Sequence, residues 1–133
     1  MPDITGIAHV ELSVRDLDTS VAWYTKLLGA RDVWRGSNDR YGITACAIYE
    51  PRSKIVFAFT QHGSQEPEDF SPRRPGLDHV SFGVAGRPAL EEWVRHLDAL
   101  GIPHSAIQDD HQPPSVTLSD PDGIALEFSF PAR

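Results

Sequence analysis

Two histidines stand 70 positions apart in matching surroundings, Gly6-Ile7-Ala8-His9-Val10 and Gly76-Leu77-Asp78-His79-Val80. A lone histidine in a strand is more often a satisfied core or surface residue than a ligand. Two at equivalent repeat positions, facing one shared cavity, offer the imidazole pair that a divalent metal ion takes. A third donor comes from Ile124-Ala125-Leu126-Glu127-Phe128, where Glu127 is the one charged side chain of an apolar run. A carboxylate there is costly unless it is paired, coordinated, or turned to water from an edge strand. Period two groups Glu127 with Ala125 and Ser129, opposite Leu126, Phe128 and Phe130, without deciding which face meets a cavity. The same period sets Glu11 on the face of His9. There it is either a catalytic general base in a cavity or a salt-bridge partner turned outward. Glu127 and Glu11 are thus the candidate catalytic carboxylates, and His9, His79 and Glu127 the candidate metal ligands.

The elements that must position these residues repeat with them. At the same offset Leu12 meets Phe82, Val14 meets Val84, Trp23 meets Trp93 and Leu27 meets Leu97. His9 to Val14 alternates polar and apolar residues, which predicts a half-buried strand. Val21, Tyr24, Leu27 and Leu28 recur at helical spacing, with capping side chains available between Asp16 and Ser20. In the second half Pro88 suits a first helical turn, and Leu90, Trp93, Val94 and Leu97 share a face. Gly29 and Gly101 stand where each helix should end. Three more strands are expected per half: about 30–35, 42–49 and 54–61, then 104–107, 115–118 and 124–130. Asp120-Pro121-Asp122-Gly123 reads as a tight turn. The order is βαβββ twice: module one about 1–62, a polar linker over 63–75, module two over 76–133, all within one domain of 133 residues. The linker and the polar loop 108–114 are read as surface, the latter overhanging the site.

Composition narrows the function classes. A formal net charge of −7 opposes nucleic acid and anionic lipid as partners. Cys46 is the only cysteine, so a disulfide within the chain and a cysteine-rich zinc site are excluded. No stretch approaches the roughly 20 apolar residues of a membrane span, and the N-terminus lacks a signal-peptide pattern. A cytoplasmic location is expected. Cys46 is expected to be inert packing, and Trp23, Trp34 and Trp93 to pack helix and strand, with stacking on a flat ligand as the alternative for an indole near the cavity.

His9 opening a strand, a helix in which Trp23-Tyr24 leads into Leu27-Leu28-Gly29, the repeated His79, and Asp120-Pro121-Asp122-Gly123 followed four residues later by Glu127 together resemble the vicinal oxygen chelate superfamily. This group includes glyoxalase I, methylmalonyl-CoA epimerase, extradiol dioxygenases, fosfomycin-resistance thiol transferases and bleomycin-resistance proteins. The resemblance implies an α+β fold, two βαβββ modules forming a curved mixed sheet around a pocket. It also implies a divalent metal (Fe2+, Mn2+, Zn2+ or Ni2+) on His9, His79 and Glu127, a small-molecule ligand and a homodimer. The family's remaining ligand position falls on Ala58, which pairs with Glu127 between the repeats and cannot coordinate. Gln61 or His62 could replace it only if the strand were shifted. The implied activity is metal-dependent chemistry on a small substrate with adjacent oxygens, of lyase/isomerase, dioxygenase or thiol-transferase type. Such a metal leaves an open face for chelation and acts as a Lewis acid. The alternative is a non-catalytic protein that binds a small molecule or drug, as bleomycin-resistance proteins do.

Overall fold

Alternation along Val10-Glu11-Leu12-Ser13 buries Leu12 and leaves Glu11 and Ser13 outside, which is strand β1 (Val10–Ser13). The computed structural model describes residues 1–64, 68–110 and 113–130. They divide into two units, Met1–Pro67 and Glu68–Arg133.

In the first unit β1 is followed by α1 (Leu17–Leu28), β2 (Arg31–Asn38), β3 (Ile43–Glu50) and β4 (Ile55–His62). The Asp16 carboxylate accepts the Thr19 N–H at 2.7 Å and caps α1. The helix therefore begins three residues before Ser20, where the apolar spacing alone would start it. Gly29 ends it at φ 64°, as Gly101 does the second helix at φ 67°; a side chain there would be strained by about 1 kcal/mol. Leu17, Val21, Tyr24, Leu27 and Leu28 form the buried stripe of α1. Tyr24 meets Phe57 and Phe59 of β4 at ring-centroid distances of 5.3 and 4.7 Å. Burying each such side chain contributes about 1.5–3 kcal/mol. The sheet order is β1-β4-β3-β2, with β1 and β4 parallel and the other pairs antiparallel.

The second unit repeats this path with β5 (Val80–Gly83), α2 (Arg87–Leu100), β6 (Ser115–Ser119) and β7 (Ala125–Ser129), in the sheet order β5-β7-β6 with β5 and β7 parallel. Both β1 and β5, and the starts of α1 and α2, keep the 70-residue offset. Pro88 lies in the first turn of α2, and Trp93 stacks on Phe128 with centroids 3.9 Å apart. Asp120 Oδ1 accepts the N–H groups of Asp122 and Ile124, closing the turn that opens β7.

The expected strand over 104–107 is a departure. That segment makes two isolated bridges, His104 with Leu118 and Gln108 with Ser115. Side chains compete there for the ladder's hydrogen bonds: the Ser105 hydroxyl accepts the Thr117 N–H at 3.0 Å, and the His104 ring bonds the Ser105 carbonyl. The α+β class and the two mixed sheets agree with the reading from sequence; the second module is completed by bridges rather than by a regular strand. Among the described residues no helix is long and apolar enough to cross a membrane. Residues 65–67 of the linker, 111–112 of the polar loop and 131–133 lie outside the described residues.

Candidate functional site

In each unit the helix covers one face of the sheet and leaves the other free. Leu12, Phe57 and Phe59 lie under α1, so the alternate residues Glu11, Ala58 and Thr60 lie on the face turned away from it. Likewise Phe82, Leu126 and Phe128 are buried on the α2 side, and Ser81, Glu127 and Ser129 occupy the opposite face. Helix packing thus decides what alternation could not: Glu127 belongs to the helix-free face.

The parallel ladders set the two halves in correspondence. Glu11 pairs with Ala58 and Ser13 with Thr60; Ser81 pairs with Glu127 and Gly83 with Ser129. The repeat alignment that sets Ala58 against Glu127 is therefore the strand register itself. Each unit carries one carboxylate on this face, on the first strand in one unit and on the last strand in the other.

Hydroxyl groups hold both carboxylates. Thr60 Oγ1 donates to Glu11 Oε1. Ser81 Oγ donates to Glu127 Oε1 at 2.7 Å and lies 2.7 Å from Ser129 Oγ. These hydroxyls were not singled out from the sequence, and the only signal for them was their place at the repeat positions of the carboxylates. His9 Nε2 lies 3.8 Å from Glu11 Oε2, with both side chains about half exposed. His79 Nδ1 is 2.6 Å from Asp78 Oδ1. A carboxylate can only accept, so Nδ1 donates to Asp78; in the neutral ring that leaves Nε2 as the acceptor, the arrangement metal-binding imidazoles use.

Several alternatives fall away. Gln61 is committed elsewhere: its Oε1 accepts the Leu17 N–H at 2.8 Å, on the helix side of β4. Glu50 organises the β3–β4 turn through Ser53 and Arg52, and the Ser53 hydroxyl above all lowers its pKa to about 2. Cys46 is fully buried, and burial raises its thiol pKa, so it is inert packing. The loop residue Asp109 is held to the first turn of α2 by Arg87 at 2.5 Å.

Trp34 departs from its expected packing role. It lies 57% exposed on the helix-free face, paired with Ala47, and its indole folds over Gly36. A Cβ at Gly36 would stand 2.7 Å from Trp34 Cζ2. The neighbouring positions on β3 and β4 are Ala45, Ala47 and Ala58.

Among the described residues no three His, Cys, Asp or Glu side chains gather within metal-binding range, the set His9, His79 and Glu127 included. A set of His9, His79 and Glu127 draws on both units. Taken one by one, the side chains are of kinds a divalent ion accepts: the imidazoles of His9 and His79, and carboxylates at Glu11 and Glu127 that neutral hydroxyls hold through one oxygen.

Comparison with known proteins supports the same assignment of fold. The sequence model of the Glyoxalase/Bleomycin resistance protein/Dioxygenase superfamily matches residues 6–128. An uncharacterized protein of Pseudomonas aeruginosa is 28% identical over 126 residues, 93% of this chain and 87% of the relative. Metapyrocatechase of Geobacillus stearothermophilus is 27% identical over 129 residues, 96% of this chain but 35% of the relative, so the chain spans about a third of that protein's length. The metallothiol transferase FosB of Staphylococcus epidermidis is 24% identical, with 95% of this chain and 82% of the relative covered. Among solved structures, a glyoxylase/bleomycin resistance protein/dioxygenase domain from Frankia sp. EAN1pec matches with a TM-score of 0.85 at 30% identity, over 98% of this chain and all of that one. The fosfomycin resistance protein FosX of Listeria monocytogenes, complexed with Mn(II) and sulfate, shares the fold at a TM-score of 0.68 and 16% identity, over 98% and 95% of the two chains. The repeat, the two matched sheets and the nearly full-length family match agree: the chain belongs to the Glyoxalase/Bleomycin resistance protein/Dioxygenase superfamily.

Proposed function

We propose that this protein is a divalent-metal-dependent enzyme acting on a small molecule with two adjacent oxygens, with His9, His79 and Glu127 as metal ligands and Glu11 as a further carboxylate of the site. The observation that carries this reading is the matched placement of His9 and His79 one residue ahead of β1 and β5, with a carboxylate on the helix-free face of each sheet. The Mn(II) complex of FosX and the metal-dependent name of FosB support a divalent ion. When bound, such an ion supplies Lewis acidity toward a chelated pair of oxygens. The chain's own residues hold the donors in place. Asp78 sets the tautomer of His79, Ser81 and Ser129 orient Glu127, and Thr60 fixes one oxygen of Glu11. Dioxygenase, lyase/isomerase and thiol-transferase chemistry all fit such a donor set. On this reading the chain is a single-domain cytoplasmic protein working as a homodimer.

The test is metal analysis of purified protein after loading with Mn(II) or Fe(II), repeated on His79→Ala. Stoichiometric uptake by the parent and its loss in the variant are expected; no uptake by the parent under any loading condition would defeat the proposal. A second reading, a binding protein without turnover, is favoured by the methyl group of Ala58 and by the exposed Trp34 above a floor of alanines. It predicts ligand binding that a chelator leaves unchanged.

A further inference from the structure

Strand register lays out the helix-free face of the first sheet as a grid. Trp34 of β2 pairs with Ala47 of β3, Ala47 with Ala58 of β4, and Ala58 with Glu11 of β1, so one row crosses all four strands. It spans three strand spacings, about 14 Å between its ends. An indole stands at one end and a carboxylate at the other, with two methyl groups between them. The rows on either side are taller. One holds the registered pair Tyr49 and Val56. In the other, the Trp34 indole leans along β2 over Gly36, and the Thr60 hydroxyl is bonded to Glu11. Ala45 and Thr60 of that row are buried, while Ala47 and Ala58 are only half-buried. The first unit thus carries a dent floored by two methyl groups and walled by aromatic rings, an aliphatic side chain and a carboxylate.

We infer that this dent binds a small flat aromatic cation, its ring over Ala47 and Ala58 against the Trp34 indole and its protonated amine on Glu11. The chemistry follows from the walls. A floor of methyl groups beside an indole favours a planar apolar ring, which gains buried area and ring contact without leaving a polar group unpaired. Gly36 sets the pose of the indole: a Cβ there would stand 2.7 Å from Cζ2, so its absence lets the ring lie along β2 and leaves the middle of the row open. That open floor is two strands wide, about 10 Å, which accommodates one or two fused rings and a short amine. At the far end Thr60 takes Oε1 of Glu11, and Oε2 lies 3.8 Å from His9 Nε2, beyond a hydrogen bond. Glu11 has no Lys or Arg partner among the described residues, so its charge is left for a ligand. The net charge of −7 adds attraction for a cation and opposes an aromatic anion. The site lies within one unit and needs no ion, so it goes beyond the metal reading and does not rest on it.

Calorimetry on the full chain in the presence of EDTA tests this with naphthylmethylamine, protonated at neutral pH, against naphthalenemethanol, cyclohexylmethylamine and naphthoate. The aromatic amine is expected to bind about tenfold or more tightly than the alcohol, the non-aromatic amine or the anion. Trp34→Ala removes a wall and Ala47→Leu fills the floor, and each is expected to weaken the aromatic amine by about tenfold or more. Glu11→Gln is expected to bring it to the level of the alcohol. Trp34 is largely exposed on an edge strand, so its removal leaves the fold intact, and thermal melting of each variant checks this. Unchanged affinity in Trp34→Ala and Ala47→Leu, equal binding of the aromatic amine and the alcohol, or no binding by the parent at millimolar concentration would each overturn the inference. Mn(II) uptake is measured separately without chelator, so failure here leaves the metal reading standing, and failure there leaves this one.

Discussion

Glu11 on β1 stands beside Ala58 on β4 in the ladder position that Ser81 and Glu127 occupy on β5 and β7. The alanine at the last-strand position thus has a carboxylate on its immediate neighbour. Parallel pairing keeps both side chains of each pair on one face.

The hydrogen bond between Asp78 and His79 leads to a prediction about ion affinity. Asp78→Ala removes the acceptor that fixes Nδ1–H and frees the ring to turn. Loss of such an outer partner lowers metal affinity about 10-fold or more. Calorimetric Mn(II) titration at constant pH should show this drop with no change in melting temperature, since both side chains are exposed.

Acid should destabilise the protein through Glu50. Hydrogen bonds from Ser53 and Arg52 hold its folded pKa at about 2, below the ordinary 4.5. The depressed value means that Glu50 adds stability above pH 4.5, and this contribution is lost as pH falls from 4.5 through 2. Its size is about 3 kcal/mol. Urea unfolding across this range should show a shallower pH dependence in Glu50→Gln than in the parent.

His104 should act in the opposite sense. The Ser105 carbonyl first, and the Asp98 carboxylate second, raise its pKa above 6.5 by favouring the form with both ring nitrogens protonated. Its stabilising contribution is complete below pH 6.5 and is lost as pH rises through the raised folded value. Denaturation midpoints should fall over this window in the parent and stay level in His104→Gln. Asp98→Asn should reduce the effect without abolishing it.

Gly36→Val should displace the Trp34 indole. A Cβ at that position meets Cζ2 at 2.7 Å, so the ring must swing away from β2. Because β2 is an edge strand and Trp34 is largely exposed, stability should change by less than about 1 kcal/mol. The expected readout is a change in tryptophan emission relative to a Trp34→Phe control, and the same emission in Gly36→Val as in the parent would count against the stacked position.

Much of the fold was legible from short-range pattern. The 70-residue repeat located both first strands and both helices, because apolar spacing and capping residues act within one or two turns of chain. It also set Ala58 against Glu127 before any strand pairing was known. The segment 104–107 was misread because its Ser and His side chains take hydrogen bonds that β-propensity assigns to a ladder. Trp34 was misassigned because only strand order shows that β2 lies at an edge.

The sequence alone determined which residues could donate to an ion, the two histidines and the acidic side chains near them, because chemical type is a local property. Tertiary structure decided on which face Glu127 lies, that Gln61 serves the helix, and that Thr60 and Ser81 hold the carboxylates. Those contacts join residues 44 to 49 positions apart in sequence. Alternation leaves the two faces of a strand equivalent until a helix covers one of them, and that choice is made only when the chain folds.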